Sequence, residues 1–509
     1  MKKVLFLKNA AVLTVTSLLL RTIGIFFRVW LTGKIGAEGI GLYQVVFSVY
    51  VLASTFATTG IATAVTRLVT ERLSSGDKKG AVRSLRLAIC ICLVAAIFTT
   101  LIILPLAPQI AKYLVKDIRA ANALKILCLG LPFIGVCSCI RGYFLARRST
   151  LPPCLAQIGE QLARILIIAL IISKIGHLGV TAAAAAVMVG DVASEMLGAI
   201  LLYVCFLLDK KHIKQRGATS GGVLREIVRI SAPISFGRYL HTALRTAENL
   251  LTPICLSKYK SAKFSGMEQF GMIKGMALPL LLFPASILSS ISTLLVTEIT
   301  ESVNKGNKRS IAENSERIIY ITSVFGFWAA GIFFLSSGHI GRLVYQSREV
   351  GFLIKALSPL VPFMYLDLIC DGILKGLDGQ KTLFKTNVFD SAVRVILVLI
   401  LVPKYGILGF LGVMLFSNLY TALAGIIRIS KDAGFKLRVT KIFLKPIFSI
   451  AVSVIISAKL LSPITANIWY LLASAAAITV LYFCILFVLS GGSYKKVVNG
   501  SSFFGKNSI

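Results

Sequence analysis

The sequence predicts an all-α polytopic membrane protein, and three observations carry that expectation: apolar runs of bilayer-spanning length, basic residues gathered in alternate connections, and an internal duplication. Apolar residues make up 56% of the 509 and charged residues 15%, with a mean hydropathy of +0.83, a balance foreign to soluble domains. Apolar runs recur from Ala10 to Leu489. Each has about twenty residues, enough to cross about 30 Å of hydrocarbon, and the count comes to about fourteen. The period-2 alternation of an outer-membrane barrel is missing, so helices, which satisfy their own backbone groups, are the remaining way to span.

A net charge of +34 would suggest nucleic acid in a soluble chain. Here the basic residues sit between apolar runs instead, and no nucleic-acid partner is expected. Roughly 33 fall on the side of the N-terminus, roughly 12 on the other and roughly 10 inside helices. The basic side carries Lys2, Lys3 and Lys8, then Arg67 to Arg86, Arg147 and Arg148, Lys210 to Arg229, Lys305 to Arg317, Lys375 to Lys385, Arg428 to Lys445 and Lys495 onward. Both termini are therefore expected in the cytoplasm, with the chain in the bacterial inner membrane. The first run follows two lysines as a signal peptide would, but it is long, holds Arg21 and Arg28 and lacks a small-residue cleavage site, so it reads as a retained helix.

Ten cysteines lie mostly in apolar runs. The nearest pairs, Cys90 with Cys92 and Cys137 with Cys139, lack zinc or thioredoxin spacing and read as small core residues. His177, His212, His241 and His339 have no second ligand at metal spacing, so neither a metal site nor a cofactor is expected.

The duplication decides the architecture. Leu131-Pro132-Phe133 is echoed by Val361-Pro362-Phe363, and Arg141-Gly142 by Asp371-Gly372, at a constant displacement of roughly 230 residues. Gln157, Glu160, Arg164, Lys174, Gly176, Leu178 and Gly179 map without a gap onto Asn387, Asp390, Arg394, Lys404, Gly406, Leu408 and Gly409. Leu68-Val69-Thr70-Glu71 returns as Leu295-Val296-Thr297-Glu298, and Gly76-Asp77-Lys78-Lys79 as Gly306-Asn307-Lys308-Arg309. About six helices per copy return the chain to its starting side, so the copies insert in parallel and would enclose a central cavity open alternately to each face. The expected division is an N-lobe over 1–208, a basic connector over 209–226, a C-lobe over 227–429 and two further helices with a short tail over 430–509. Gly217, Gly221 and Gly222 suit the connector to a flexible linker.

Charges inside helices are the candidate site. Arg21 and Arg28 on the first helix of the N-lobe, and Arg238 and Arg245 on the first of the C-lobe, lie seven residues apart, two turns along one face, with His241 on nearly the same stripe as Arg238. Lining a cavity, these guanidinium forks would hold an anion, and a diphosphate above all, through paired charge-assisted hydrogen bonds. The alternative has Arg28 and Arg238 snorkel to opposite interfaces while Arg21 and Arg245 pair with acids such as Glu248. Glu160 with Arg164, and Asp390 with Arg394, are i,i+4 pairs at matched positions that either pin helices or line the cavity. Asp191 and Glu195, one turn apart, have Thr421 and Gly425 as their counterparts in the other copy. They break the symmetry and are candidates for carrying a coupling proton or sodium ion, or for pairing with a cavity arginine. No glycine-rich phosphate loop occurs, and the short basic loops lack the clustered acids of a glycosyltransferase, so an enzyme is not expected.

Several segments are similar to the polysaccharide flippases of the multidrug/oligosaccharidyl-lipid/polysaccharide exporter superfamily, in their sporulation branch. They are Arg21 to Arg28 with Gly36-Ala37-Glu38-Gly39-Ile40-Gly41-Leu42-Tyr43, Gly60 to Glu71, Arg141-Gly142-Tyr143-Phe144, Gln157 to Arg164, and Gln269-Phe270-Gly271 leading to Leu278-Pro279. The resemblance implies two six-helix lobes around a cationic cavity and a flippase for an undecaprenyl-diphosphate-linked sugar, lipid II for spore cortex in this branch. It also implies a substrate-binding arginine at Arg28, with Arg21. Membrane lipids and peptidoglycan synthesis enzymes would be its partners, the chain a monomer, and the forespore membrane a place to find it. A multidrug cation exporter and a non-transporting sporulation scaffold are the rival readings.

Overall fold

The computed structural model describes residues 2–58, 60–175, 179–211, 222–261, 263–304, 306–461 and 468–490. His177, His212, most of the connector and the tail from 491 lie outside the described residues. Every regular element described is helical. In order they are α1 (Lys2–Thr58), α2 (Ile61–Ser74), α3 (Lys78–Gln109), α4 (Ala120–Cys128), α5 (Leu131–Ala146), α6 (Leu151–Ile175), α7 (Val180–Lys211), α8 (Val223–Ser257), α9 (Gly266–Phe270), α10 (Leu278–Leu281), α11 (Ala285–Asn304), α12 (Lys308–Tyr345), α13 (Arg348–Leu357), α14 (Val361–Gly376), α15 (Gln380–Ala433), α16 (Lys445–Leu460) and α17 (Ile468–Leu489).

Among the described residues, nine helices are long and apolar enough to cross a membrane, or ten if the pair α4 and α5, bent by 42°, makes one span. Two helices are of double length. α1 has 57 residues and α15 has 54, about 80–85 Å at 1.5 Å per residue, and each is broken once. α1 breaks at Gly36, where φ is +69°, and α15 at Gly406, where φ is +58°, three residues after Pro403. Glycine takes positive φ without the Cβ penalty, and the proline removes a ladder donor. α8 is not among the nine. Its 35 residues would cross, but Arg238, Arg245 and Glu248 dilute its apolar character.

The described chain forms two compact units, Met1–Gly275 with Ser391–Phe410, and Met276–Asp390 with Leu411–Ile509. In the first, Val65, Leu68 and Val69 of α2, Leu85 and Cys92 of α3, Ile140, Tyr143 and Phe144 of α5, and Leu202 and Phe206 of α7 close one apolar core. The cysteines serve as small core groups there, with Cys92 and Cys139 Sγ 3.4 Å apart. α8 runs antiparallel to the end of α1: Thr246 Oγ1 donates to the Ser48 carbonyl at 3.1 Å, while further along Tyr239 stacks on Phe56 with ring centres 4.6 Å apart. In the second unit α12 is the hub. Tyr482 and Trp328 anchor α17 to it by bonds to the Val324 carbonyl and Thr479, and Gly331 admits Ile450 of α16.

Glycines let backbones meet where α1 passes the segment that follows α8. A Cβ on Gly271 would lie 1.9 Å from the Ala37 carbonyl oxygen, and one on Gly41 would lie 2.1 Å from that of Met267. Backbone atoms cannot swing aside as a long side chain can. Gly271→Val is therefore expected to destabilise the protein by about 1–3 kcal/mol. Gly24→Ala, where nothing lies within 4 Å of the added carbon, should leave the thermal unfolding midpoint of the detergent-solubilised protein in place. Equal midpoints for both variants would refute the close approach.

Backbone events follow the sequence repeat. Asp77 and Asn307 each cap the next helix by accepting from a backbone N–H three residues on. Lys116 and Gln346, and likewise Arg148 and Asp378, take left-handed φ at equivalent places. α5 and α14, both 16 residues long, start and stop at matched positions.

Candidate functional site

A charge at mid-bilayer costs about 2.5–3.5 kcal/mol on insertion scales, so each charged side chain within the helices calls for a partner. Two networks supply them, both in the first unit.

The first joins α5, α6, α7 and α1. Arg164 reaches Glu160 at 3.1 Å on its own helix and Asp191 Oδ1 at 3.0 Å on α7. Glu160 also accepts from Arg141 of α5 at 2.9 Å. Asp191 is 4% exposed, and its second oxygen, Oδ2, has no hydrogen-bond partner among the described residues. One turn on, Glu195 accepts a 2.6 Å bond from the Tyr50 hydroxyl. Gly130, between α4 and α5, leaves room for that pair, since a Cβ there would lie 2.5 Å from the Glu195 carboxylate. Tyr43 of α1 faces Asp191 and Arg164, and Arg28 lies within electrostatic reach of the same tyrosine.

The second network gathers on Glu248 of α8, 2% exposed. Arg394 grips it with two bonds, Nη2 to Oε1 at 2.5 Å and Nε to Oε2 at 2.9 Å. Lys274 Nζ stands 3.6 Å from Oε1 and 5.9 Å from the Phe410 ring centre. Lys274 sits in the π-helical segment Gly271–Ala277, a geometry that often marks functional sites. Arg245, nearly one turn before Glu248, acts on the same carboxylate electrostatically and is itself exposed. Arg394 and Lys274 thus share one carboxylate.

Of the residues singled out in the sequence, Glu160, Arg164 and Asp191 come together, and Glu195 joins them one turn away through Tyr50. Arg394 grips Glu248, and Asp390 accepts from Ser417 Oγ at 2.6 Å. Arg245 and the half-buried His241 lie on the α8 face that leads to Glu248, and Arg28 lies near Tyr43. Arg21 and Arg238 are exposed. Lys274, Tyr43, Tyr50 and Arg141 were not singled out as partners. A lone lysine in an apolar run, costly unless paired, was the signal for Lys274. No group of three possible metal ligands occurs among the described residues.

Outside the spans, Arg119 ties the turn before α4 to α1, with Nη2 at 2.6 Å from Glu38 and 2.7 Å from Asp117. Burial would raise the Asp117 carboxyl, but bonds from the Arg119 side chain and backbone N–H outweigh it and hold the group below the usual range.

Long apolar helices with satisfied charges at depth define a multi-pass helical membrane protein with polar networks built into its first unit. The chain belongs to the polysaccharide biosynthesis protein family, whose model matches residues 6–291. Stage V sporulation protein B of Bacillus subtilis (strain 168) is 26% identical over 80% of each chain. Lipid II flippase MurJ of the same organism is 22% identical over 88% of each. The fold is that of a solved lipid II flippase MurJ in its inward closed conformation, with a TM-score of 0.73 at 15% identity over 95% of this chain and 99% of the other.

Proposed function

We propose that this chain is a flippase that carries a polyprenyl-diphosphate-linked glycan across the bacterial cytoplasmic membrane by alternating access. The observation that carries this reading is the gathering of cations at depth in the first unit: Arg394 and Lys274 pair with Glu248, and the exposed Arg245, within electrostatic reach of the same carboxylate, offers its guanidinium fork to a diphosphate. Arg28 adds to it near Tyr43, with Arg21, Arg238 and His241 further along the helices that carry these groups. The guanidinium fork suits such a group because it stays charged when desolvated and donates in pairs. Kinship with a lipid II flippase and a stage V sporulation protein supports lipid II, destined for spore cortex, as the glycan. About fourteen crossings with both termini in the cytoplasm go with this reading, as does a monomer working beside peptidoglycan synthesis enzymes.

The test is a flipping assay in liposomes with fluorescent lipid II. Accelerated inversion over protein-free liposomes is the expected result, and none refutes the proposal. Drug-dependent cation exchange in its place would identify a multidrug exporter, and neither activity a scaffold.

Asp191 and Glu195 are the proposed coupling site. Among the described residues, Asp191 keeps one carboxylate oxygen without a hydrogen bond in a buried setting, and Glu195 accepts from the Tyr50 hydroxyl, which supports both as groups with capacity for a proton or sodium ion. Asp191→Asn with Glu195→Gln is expected to abolish the response of flipping rate to an imposed proton or sodium gradient while basal inversion persists. A full gradient response in the double variant defeats the coupling role.

A further inference from the structure

A cavity of about 400 Å³ opens where the start of α3 meets the start of α8, away from both networks. Arg83 and Arg86 stand on one wall, three residues apart on one helical face. Gly222, Val223 and Leu224 form the other, which is the first turn of a 35-residue helix. Gly222 has no side chain to cap that turn, so the partial positive charge of the helix N-terminus adds to that of the two guanidinium groups. Glu226, the acid of that turn, is engaged elsewhere, 2.9 Å from Arg72. Both arginines are exposed, and neither makes an ion pair among the described residues.

The walls below are apolar. Leu87 and Cys90 continue the arginine face of α3, and the same stripe runs on through Val94, Phe98 and Leu101, exposed by 69%, 64% and 63%. On α8, Leu224 and Val228 are more than half exposed. α3 is long and apolar enough to cross a membrane, so this stripe lies against acyl chains, whereas a free phosphate would use the cationic end alone. A molecule with an anionic head and long apolar tails matches both.

We propose that this cavity is a binding site for an acidic glycerophospholipid of the surrounding leaflet, its phosphate held by Arg83, Arg86 and the first turn of α8 and its acyl chains laid along α3. Basic pockets between spanning helices recognise such headgroups elsewhere. The site is separate from the proposed substrate arginines, and its occupancy does not depend on what the chain transports.

The experiment uses the full chain extracted from vesicles of phosphatidylethanolamine and phosphatidylglycerol, with retained lipid counted by native mass spectrometry. The parent is expected to keep one phosphatidylglycerol. Arg83→Gln with Arg86→Gln is expected to lower that retention roughly tenfold or more, at about 1 kcal/mol per arginine near the surface. Arg309→Gln, which alters a solvated Arg309–Glu313 pair, should keep it. Phosphatidylglycerol should also raise the thermal midpoint of the parent over phosphatidylcholine vesicles, and not that of the double variant. Undiminished retention in the double variant, an equal loss in Arg309→Gln, or displacement of the lipid by inorganic phosphate would each overturn the proposal.

Discussion

Glu248→Ala is expected to destabilise the protein by about 3–5 kcal/mol, the cost of breaking a buried ion pair by removing one partner. With the carboxylate gone, Arg394, whose side chain is 8% exposed, and Lys274, at 21%, lose the anion they share. Glu248→Gln keeps the shape and one acceptor and should cost less. The decisive comparison is Glu248→Leu with Arg394→Met, which removes the pair together. Replacing both charges by apolar groups is often neutral, so the double variant should be more stable than Glu248→Leu alone, a coupling seen as strong non-additivity in a double-mutant cycle, while Arg394→Met alone leaves Glu248 paired with Lys274. Unfolding of the detergent-solubilised protein supplies the numbers. If Glu248→Ala unfolds within about 1 kcal/mol of the parent, the carboxylate is not what holds these cations.

Arg245→Ala is expected to leave folding intact and slow lipid II inversion by about 10- to 100-fold. Arg245 is exposed, so its removal orphans no buried group, which separates it from Glu248. A hydrogen bond to a charged group contributes about 1.5–3 kcal/mol, and about 1.4 kcal/mol is a factor of ten. Arg28→Ala should act in the same direction. Arg245→Lys keeps the charge but loses the planar fork and should recover only part of the rate. The initial rate of inversion in liposomes, at equal amounts of folded protein, is the measurement. Unchanged rates in both alanine variants would remove these arginines from the substrate path.

The helical class and the duplication were legible because both are written at short range. Hydropathy marks the spans, and the repeat fixes where caps and left-handed residues fall, so that Asp77 foretells Asn307. The Glu160–Arg164 pair was legible for the same reason, since four residues on a helix share a face. What the sequence did not disclose is which helices stand side by side. Tyr50 and Glu195 are 145 residues apart, and Glu248 and Arg394 are 146. The period of a helix states which way a side chain points and is silent on what waits there. Arg394 shows the limit. Its repeat partner Arg164 takes the acid one turn before it, a bond the spacing announces, while Arg394 grips Glu248, a bond that no spacing announces. Lys274 escaped notice because it has no counterpart at helical spacing; its partner comes only from tertiary packing.

The backbone approaches at Gly41 and Gly271 have a mechanical side. With carbonyl oxygens seated where their side chains would be, and the Ile40 side chain seated on Gly275, the second half of α1 and the segment bearing Lys274 are geared: neither slides without dragging the other. Gly36, left-handed and with nothing within 4 Å of an added carbon, is the free joint just before that gear. Any swing of the first half of α1 therefore pivots at Gly36, carrying Arg21 and Arg28 through an arc while the ammonium of Lys274 keeps its station beside Glu248.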